Sequence, residues 1–264
     1  MPPRRLQITT EPRITGVPFR ERSRGQAVSL LSTAQSAALA AIGTIVQLPK
    51  GTIVYRAKSA ADSVFNLVQG VVKTYDVLPD DRSIVSGFHF AGDMFGLAEH
   101  GHYVEWAEAI IPSVAFRIPL AALEPLLDRD GALAVRFLCK AADGLRQNRR
   151  HARILARNDA LGRFAMLLRQ LEQQGPSRGP DSVTYFPMSR GDAAQFIGLT
   201  LEAMSRASST LERTRIIQFI DRHHFQVVDH ARFEQLLAGA YQPAVVRAKP
   251  RALPEAALRK RRKT

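Results

Sequence analysis

Between Ser189 and Arg206 the chain reads SRGDAAQFIGLTLEAMSR, two helical patterns that meet at a joint only a few residues long. No other stretch limits the fold so sharply, because so short a joint forces two helices to cross and pack on each other. Ser189 is a good N-cap, with Asp192 three residues on in near capping-box spacing and Pro187 just outside. The first helix is expected to turn Ala193, Ala194, Ile197 and Leu199 inward, and Gly198 permits the sharp turn. Thr200 is the second N-cap. Leu201, Met204 and Leu211 are expected to mark the buried side of the second helix, leaving Glu202, Ser205, Arg206 and Ser209 exposed.

Those exposed types have counterparts on base edges: Arg bidentate to guanine, Glu accepting from cytosine N4, Ser to either. A recognition helix places its N-terminal residues in the major groove. Ala203, Ala207 and Ser208 are expected to keep the helix slim against a groove wall. Helix pairs with this turn also occur in enzymes and bundles, so spacing alone does not decide between DNA reading and plain packing.

Upstream, from about Gly43 to Leu120, short β-like runs alternate with turn residues: TIVQL, Pro49-Lys50-Gly51, TIVYR, SVFNLVQGVVKTYDV, Pro79-Asp80-Asp81, SIVSGFHF, Gly92-Asp93 and SVAFRIPL. Val114, Phe116 and Ile118 alternate with Ala115 and Arg117, as in a half-buried strand. An antiparallel roll or barrel is expected over residues 26–124, within an α+β chain. After Leu123 the pattern turns helical.

Ala134, Leu138, Ala141, Leu145, Asn148, Ala152 and Leu155 recur at spacings 4, 3, 4, 3, 4, 3, a heptad seam longer than one small-domain contact needs. A dimerisation helix over 125–157 is expected, with Asn148 fixing register against its symmetry mate. The competing reading has this helix pack on its own roll, with Asn148 facing water. A domain boundary is expected near Arg157 to Leu161, and 158–241 is the expected DNA-binding unit, with QQGPSRGPDS (173–182) as a loop inside it.

The net charge of +13 is unevenly placed. Residues 1–25 carry six Arg against two Glu, and 242–264 carry eight Lys and Arg against one Glu. Both ends therefore read as basic tails, the C-terminal one disordered by its Pro and basic content. Residues 26–135 have seven basic and eleven acidic groups, residues 136–241 sixteen and ten, so the positive half coincides with the helix pair. Cys139 is the only cysteine, which excludes an intramolecular disulfide and any four-cysteine site within one chain. With no run of about 18 apolar residues, a cytoplasmic setting with no membrane partner is expected.

The stretch FPMSRGDAAQFIGLTLEAMSR is similar to the helix-turn-helix of the Crp/Fnr transcription regulators. LPKGTIVYRAKSAADSVFNLVQGVVKTY and GFHFAGDMFGL resemble that family's cyclic-nucleotide-binding-type β-roll, and residues 125–155 occupy the place of its dimer helix. Roughly 40–235 is covered. The resemblance implies a β-roll, a long dimerisation helix and a C-terminal winged helix-turn-helix. Glu202, Ser205 and Arg206 match the Fnr branch signature, which implies inverted repeats of the TTGAT type; GFHFAGDMFG resembles the FixK-like group, which implies genes of low-oxygen or nitrogen-oxide metabolism.

The pattern is broken at several points. Glu105, Trp106 and Glu108 stand where cyclic-nucleotide-responsive members carry a cation, and carboxylates beside a phosphate repel it. One cysteine cannot hold the four-cysteine cluster of oxygen-sensing members; Cys139, between Leu138 and Ala141, reads as buried packing. Glu99, His100, His102 and Glu105 could be a metal or haem site, but read as a polar loop. Arg215 stands where the family usually has Gly after the recognition helix, so a differently built approach to the wing is expected.

The resulting reading is a homodimeric, sequence-specific regulator of transcription with double-stranded DNA and RNA polymerase as partners. No enzyme, cofactor or metal is expected, and Gly-rich phosphate loops, His-Glu metal motifs and nucleophile elbows are missing from the sequence. Glu202, Ser205 and Arg206 are the expected base readers; Ser189, Arg190, Thr200 and Ser209 are the expected backbone contacts. Two alternatives stay open: nonspecific binding driven by the basic tails, and a regulator of this family that answers to haem, a metal or a cyclic nucleotide.

Overall fold

A computed structural model describes residues 11–19, 27–174 and 182–240. A short antiparallel pair, β1 (Thr15–Gly16) and β2 (Val28–Ser29), precedes α1 (Thr33–Ile42). The roll follows: β3 (Thr44–Leu48), β4 (Ile53–Tyr55), β5 (Ser63–Gln69), β6 (Val71–Val77), β7 (Ser83–Phe90), β8 (Met94–Phe95), β9 (Ala98–Glu99), β10 (His102–Tyr103), β11 (Trp106–Ala109) and β12 (Ser113–Pro119). Two four-stranded antiparallel sheets, ordered β4-β11-β6-β7 and β3-β12-β5-β8, form it. Leu67, Ala107, Ala115 and Val72 are fully buried in its core.

The long run SVFNLVQGVVKTYDV is two strands broken at Gly70, where φ is +94° and a Cβ would lie 2.1 Å from Ser113 Oγ. Only glycine fits that turn.

Beyond the roll lie α2 (Leu120–Arg129), α3 (Gly131–Ala156) and α4 (Ala160–Gln174). The expected dimerisation helix over 125–157 is corrected here: it is broken after Arg129. Asp130 leaves helical geometry and its carboxylate caps α3, accepting from Leu133 N at 2.9 Å and from Gln35 Nε2 at 3.2 Å. The seam helix therefore begins at Gly131.

α3 has two faces. Leu133, Cys139 and Ile154 are buried, as are Lys140 and Asp143. Lys140 Nζ donates to Asp93 Oδ1 at 2.6 Å and to Thr15 O at 2.7 Å, tying this face to the roll. On the other face Leu138 and Leu145 are 59% and 65% exposed, joined by exposed Ala141, Asn148, Ala152 and Leu155, with Ala134 half-buried. α3 packs on its own roll through the first face and leaves the heptad face uncovered.

The expected N-terminal tail over 1–25 is also corrected. Ile14 is fully buried, Arg13 N donates to Asn66 Oδ1 at 2.8 Å, and Thr15 N donates to Gly92 O at 3.0 Å. Arg13–Gly16 packs onto the roll because the Ile14 side chain and these backbone groups find partners there. Residues 1–10, 20–26, 175–181 and 241–264 lie outside the described residues, and with them most of both basic tails and the 173–182 loop. Among the described residues no helix is long and apolar enough to cross a membrane.

The described residues end with β13 (Thr184–Tyr185), α5 (Arg190–Phe196), α6 (Leu201–Arg213), β14 (Ile217–Asp221), β15 (His224–Val227) and α7 (His230–Leu237). β13, β15 and β14 form a three-stranded antiparallel sheet beside the helices, the wing.

Candidate nucleic-acid interface

Local chemistry fixes the helix pair. Ser189 Oγ accepts from Asp192 N at 2.9 Å and donates to Asp192 Oδ2 at 2.7 Å, satisfying one orphan N–H of α5. α5 ends in a Schellman turn: Leu199 N donates to Ala194 O at 2.9 Å and Gly198 N to Gln195 O at 3.0 Å, with Gly198 at φ +64°. Arg163 from α4 donates to Gly198 O at 2.9 Å and Ile197 O at 3.3 Å, a clamp with no local signal in the sequence. Thr200 then caps α6, its Oγ1 accepting from Ala203 N at 3.1 Å.

The buried stripe of α6 is Met204, Ala207, Ser208 and Leu211, at i, i+3, i+4 and i+7. Two expectations are corrected by it. Leu201 is 55% exposed, because it lies in the first turn at the edge of that stripe. Ala207 and Ser208 face the core, so their small size serves close helix packing and not a groove wall.

On the opposite side Glu202, Ser205, Arg206 and Ser209 are exposed, as expected. Glu202 and Arg206 form an ion pair one turn apart. Such a row of donors and acceptors, joined by the exposed Leu201, matches the chemistry of major-groove base edges, including the thymine methyl. Among the expected backbone contacts, Ser189 and Thr200 are exposed caps, while Arg190 is half-buried. Its guanidinium carbon sits 4.1 Å from the Phe219 ring centroid and 4.8 Å from that of Phe186, and Nη1 is buried without a partner. Burial holds its pKa down, with the Glu212 carboxylate opposing. Arg190 thus stacks between two rings instead of projecting freely.

The step to the wing is a second Schellman turn, with Ile216 N donating to Leu211 O at 3.0 Å and Arg215 N to Glu212 O at 2.9 Å. Arg215 adopts φ +55°. The expectation of a different construction is corrected: arginine takes the left-handed position that glycine would otherwise fill.

In the roll, Trp106 and Glu108 alternate with the fully buried Ala107 and Ala109 and so face outward. Glu108 lies 3.3 Å from Lys73 Nζ. Only Glu105 of the expected carboxylates turns inward, where it accepts from the Ser86 hydroxyl, and burial pushes its pKa up. A half-buried carboxylate at this position does not fit a cyclic phosphate, which needs donors and positive charge. His100 and His102 are exposed, and among the described residues no three His, Cys, Asp or Glu groups converge on a metal position.

A two-sheet roll, a long helix with one uncovered face and a winged helix-turn-helix together define a DNA-binding transcription regulator built on a sensor-type domain. Residues 45–130 match the cyclic nucleotide-binding domain and 162–236 the Crp-like helix-turn-helix domain. The chain belongs to the Crp/Fnr family of transcription regulators.

It is 31% identical over 205 residues to the nitrogen fixation regulation protein FixK of Bradyrhizobium diazoefficiens, covering 75% of this chain and 83% of that one. To the transcriptional activatory protein AadR of Rhodopseudomonas palustris it is 32% identical, covering 67% of this chain and 74% of the relative. The structure of FixK2 from Bradyrhizobium japonicum superposes with a TM-score of 0.68 at 30% identity, over 74% of this chain and 97% of that one. These relatives are regulators and not enzymes.

Proposed function

We propose that this regulator acts as a homodimer that reads an inverted repeat of the TTGAT type. The observation that carries the reading is the uncovered row of Glu202, Ser205 and Arg206 on a helix whose other side is locked into the core. Arg206 is assigned to guanine, Glu202 to cytosine N4, Ser205 to an adjacent edge, and Leu201 to a thymine methyl. Ser189, Arg190, Thr200 and Ser209 position the phosphates; Arg190 does so by leaving its stack or by lending charge from within it.

The uncovered heptad face of α3 supports dimerisation, with Ala134, Leu138, Ala141, Leu145, Asn148 and Ala152 meeting their symmetry mates. Two heads then sit about 34 Å apart, one DNA turn. In this scheme the roll spans 26–124 with Arg13–Gly16 packed onto it, α3 is the dimer helix and 158–241 the DNA-binding unit. The resemblance of GFHFAGDMFG to the FixK-like group implies low-oxygen or nitrogen-oxide-related genes, likeness to the transcriptional activatory protein AadR supports an activator, and such a regulator would act in the cytoplasm with RNA polymerase.

Fluorescence anisotropy on full-length protein at physiological salt tests the reading. A duplex with a TTGAT inverted repeat is expected to bind at least about 10³-fold more tightly than a scrambled one. Equal affinities would leave only binding by charge.

A further inference from the structure

The reading unit is not held to the roll by the chain alone. Val71, Val85, Phe88 and Ile110 of the roll share one buried cluster with α4, α5 and α6. α5 also meets the roll at its exposed edge, where Ser83 Oγ donates to Gln195 Oε1 at 3.4 Å, and more deeply at two further points. Lys73 Nζ reaches Asp192 Oδ1 at 3.0 Å, and Phe88 packs edge-on against Phe196 with centroids 5.1 Å apart.

Asp192 and Phe196 are four residues apart, on one face of α5. Lys73 and Phe88 are direct cross-strand partners in the β6–β7 register. A one-turn step on the helix therefore matches a one-strand step on the sheet. Two unlike contacts, one ionic and one aromatic, fix both the rotation of α5 about its axis and its position along it.

Lys73 is itself held. Its cross-strand partner on the other side is Glu108, 3.3 Å away. Its side chain is only 16% exposed, and burial works against its charge, but the Asp192 and Glu108 carboxylates raise its pKa overall. Phe196 also meets the long helix: the His151 ring of α3 stacks on it at 4.0 Å and His151 Nε2 lies 2.6 Å from Phe196 O. Roll, long helix and reading unit thus converge on α5.

We infer that Lys73 is a positioning residue for DNA binding: through Asp192 it sets the angle at which the reading helix leaves the roll, and so the separation and phase of the two heads. α5 and α6 are joined rigidly at Gly198, so any swing of α5 is passed to α6. This inference rests on the proposed dimer reading an inverted repeat. It differs from a base-reading role, since Lys73 lies on the roll.

The test measures full-length protein on inverted repeats whose spacer is the preferred length or one base pair shorter or longer. Each base pair turns one half-site by about 35° and shifts it by about 3.4 Å, so a fixed head discriminates and a loose one does not. Lys73→Met and Asp192→Asn are each expected to reduce the discrimination between spacers by about tenfold, while the preferred bases within each half-site stay the same. The double variant is expected to lose no more than either single one, and Lys73→Arg to keep the discrimination. Circular dichroism melts of each variant establish that it is folded under assay conditions.

Unchanged spacer discrimination in folded Lys73→Met, or losses that add in the double variant, would overturn the positioning role. A wild-type protein that binds single half-sites as tightly as inverted repeats, with no spacer preference, would instead remove the dimeric reading and this role with it.

Discussion

Glu202 and Arg206 stand one helical turn apart on α6 and bind each other through Oε1 and Nη1, both facing solvent. The pair holds the guanidinium fork near one direction before any DNA arrives, which lowers the ordering cost of a bidentate contact to guanine. Arg206→Ala is predicted to cost about 1–3 kcal/mol at the true site, and to relax preference at one base pair per half-site. Anisotropy titrations over single-base variants of the site check this. An equal loss on every sequence would place Arg206 on the backbone.

The uncovered face of α3 carries the next prediction. Leu145, 65% exposed in the single chain, lies at the centre of the heptad row. Leu145→Asp brings like charges together across a two-fold axis and is predicted to give monomers by light scattering, with Asn148→Leu altering the oligomer distribution by removing the polar register mark. A dimer untouched by both changes would mean that the chains meet elsewhere.

Two turns of the same type differ in their left-handed residue. At Gly198, φ is +64° and a Cβ would lie 3.1 Å from Leu155 Cδ2 and from Arg163 Nη1, so Gly198→Ala is predicted to destabilise by about 1–2 kcal/mol. At Arg215 the same strain is already present at φ +55°, and Arg215→Gly is predicted to stabilise by up to about 1 kcal/mol. Urea unfolding of both variants measures the two effects, which must have opposite signs.

Glu105 gives the pH dependence. Burial raises its pKa above the ordinary carboxylate range, more than the Ser86 and Thr74 hydrogen bonds lower it. A folded value above the unfolded one means that its contribution is full below the unfolded pKa and is lost as pH rises through the folded one. Glu105→Gln stays neutral and is predicted to flatten the fall in Tm as pH rises from about 4.5 upward. A melt series unchanged by the substitution would show that Glu105 is ionised in the fold at no cost.

Much of this was legible in sequence where local rules act alone. Caps at Ser189 and Thr200, the turn at Gly198 and the strands TIVQL and SIVSGFHF depend on neighbours in the chain, and the structure has them in place. Leu201 misled because helical spacing assigns a face but cannot say where the covering elements stop. The stripe of Met204, Ala207, Ser208 and Leu211 was present in the letters, hidden by two small residues that read as slim surface.

Contacts between distant segments left no such trace. The burial of Ile14, the Lys140–Asp93 pair and the Lys73–Asp192 pair join residues far apart in sequence, and a lysine in a strand ordinarily faces water. Asp130 shows the intermediate case: a good capping residue inside a long helical pattern, whose break is plain only once Gln35 and Leu133 are seen to bind it.

The most direct test of the account is to select bound sequences from a random duplex pool at physiological salt, using purified full-length protein with no added ligand. Enrichment of an inverted repeat with TTGAT-type halves, with preference at one position of each half relaxed on substituting Arg206, is the predicted result. Recovery of the pool without any enriched sequence would contradict the claim that this surface of α6 reads DNA.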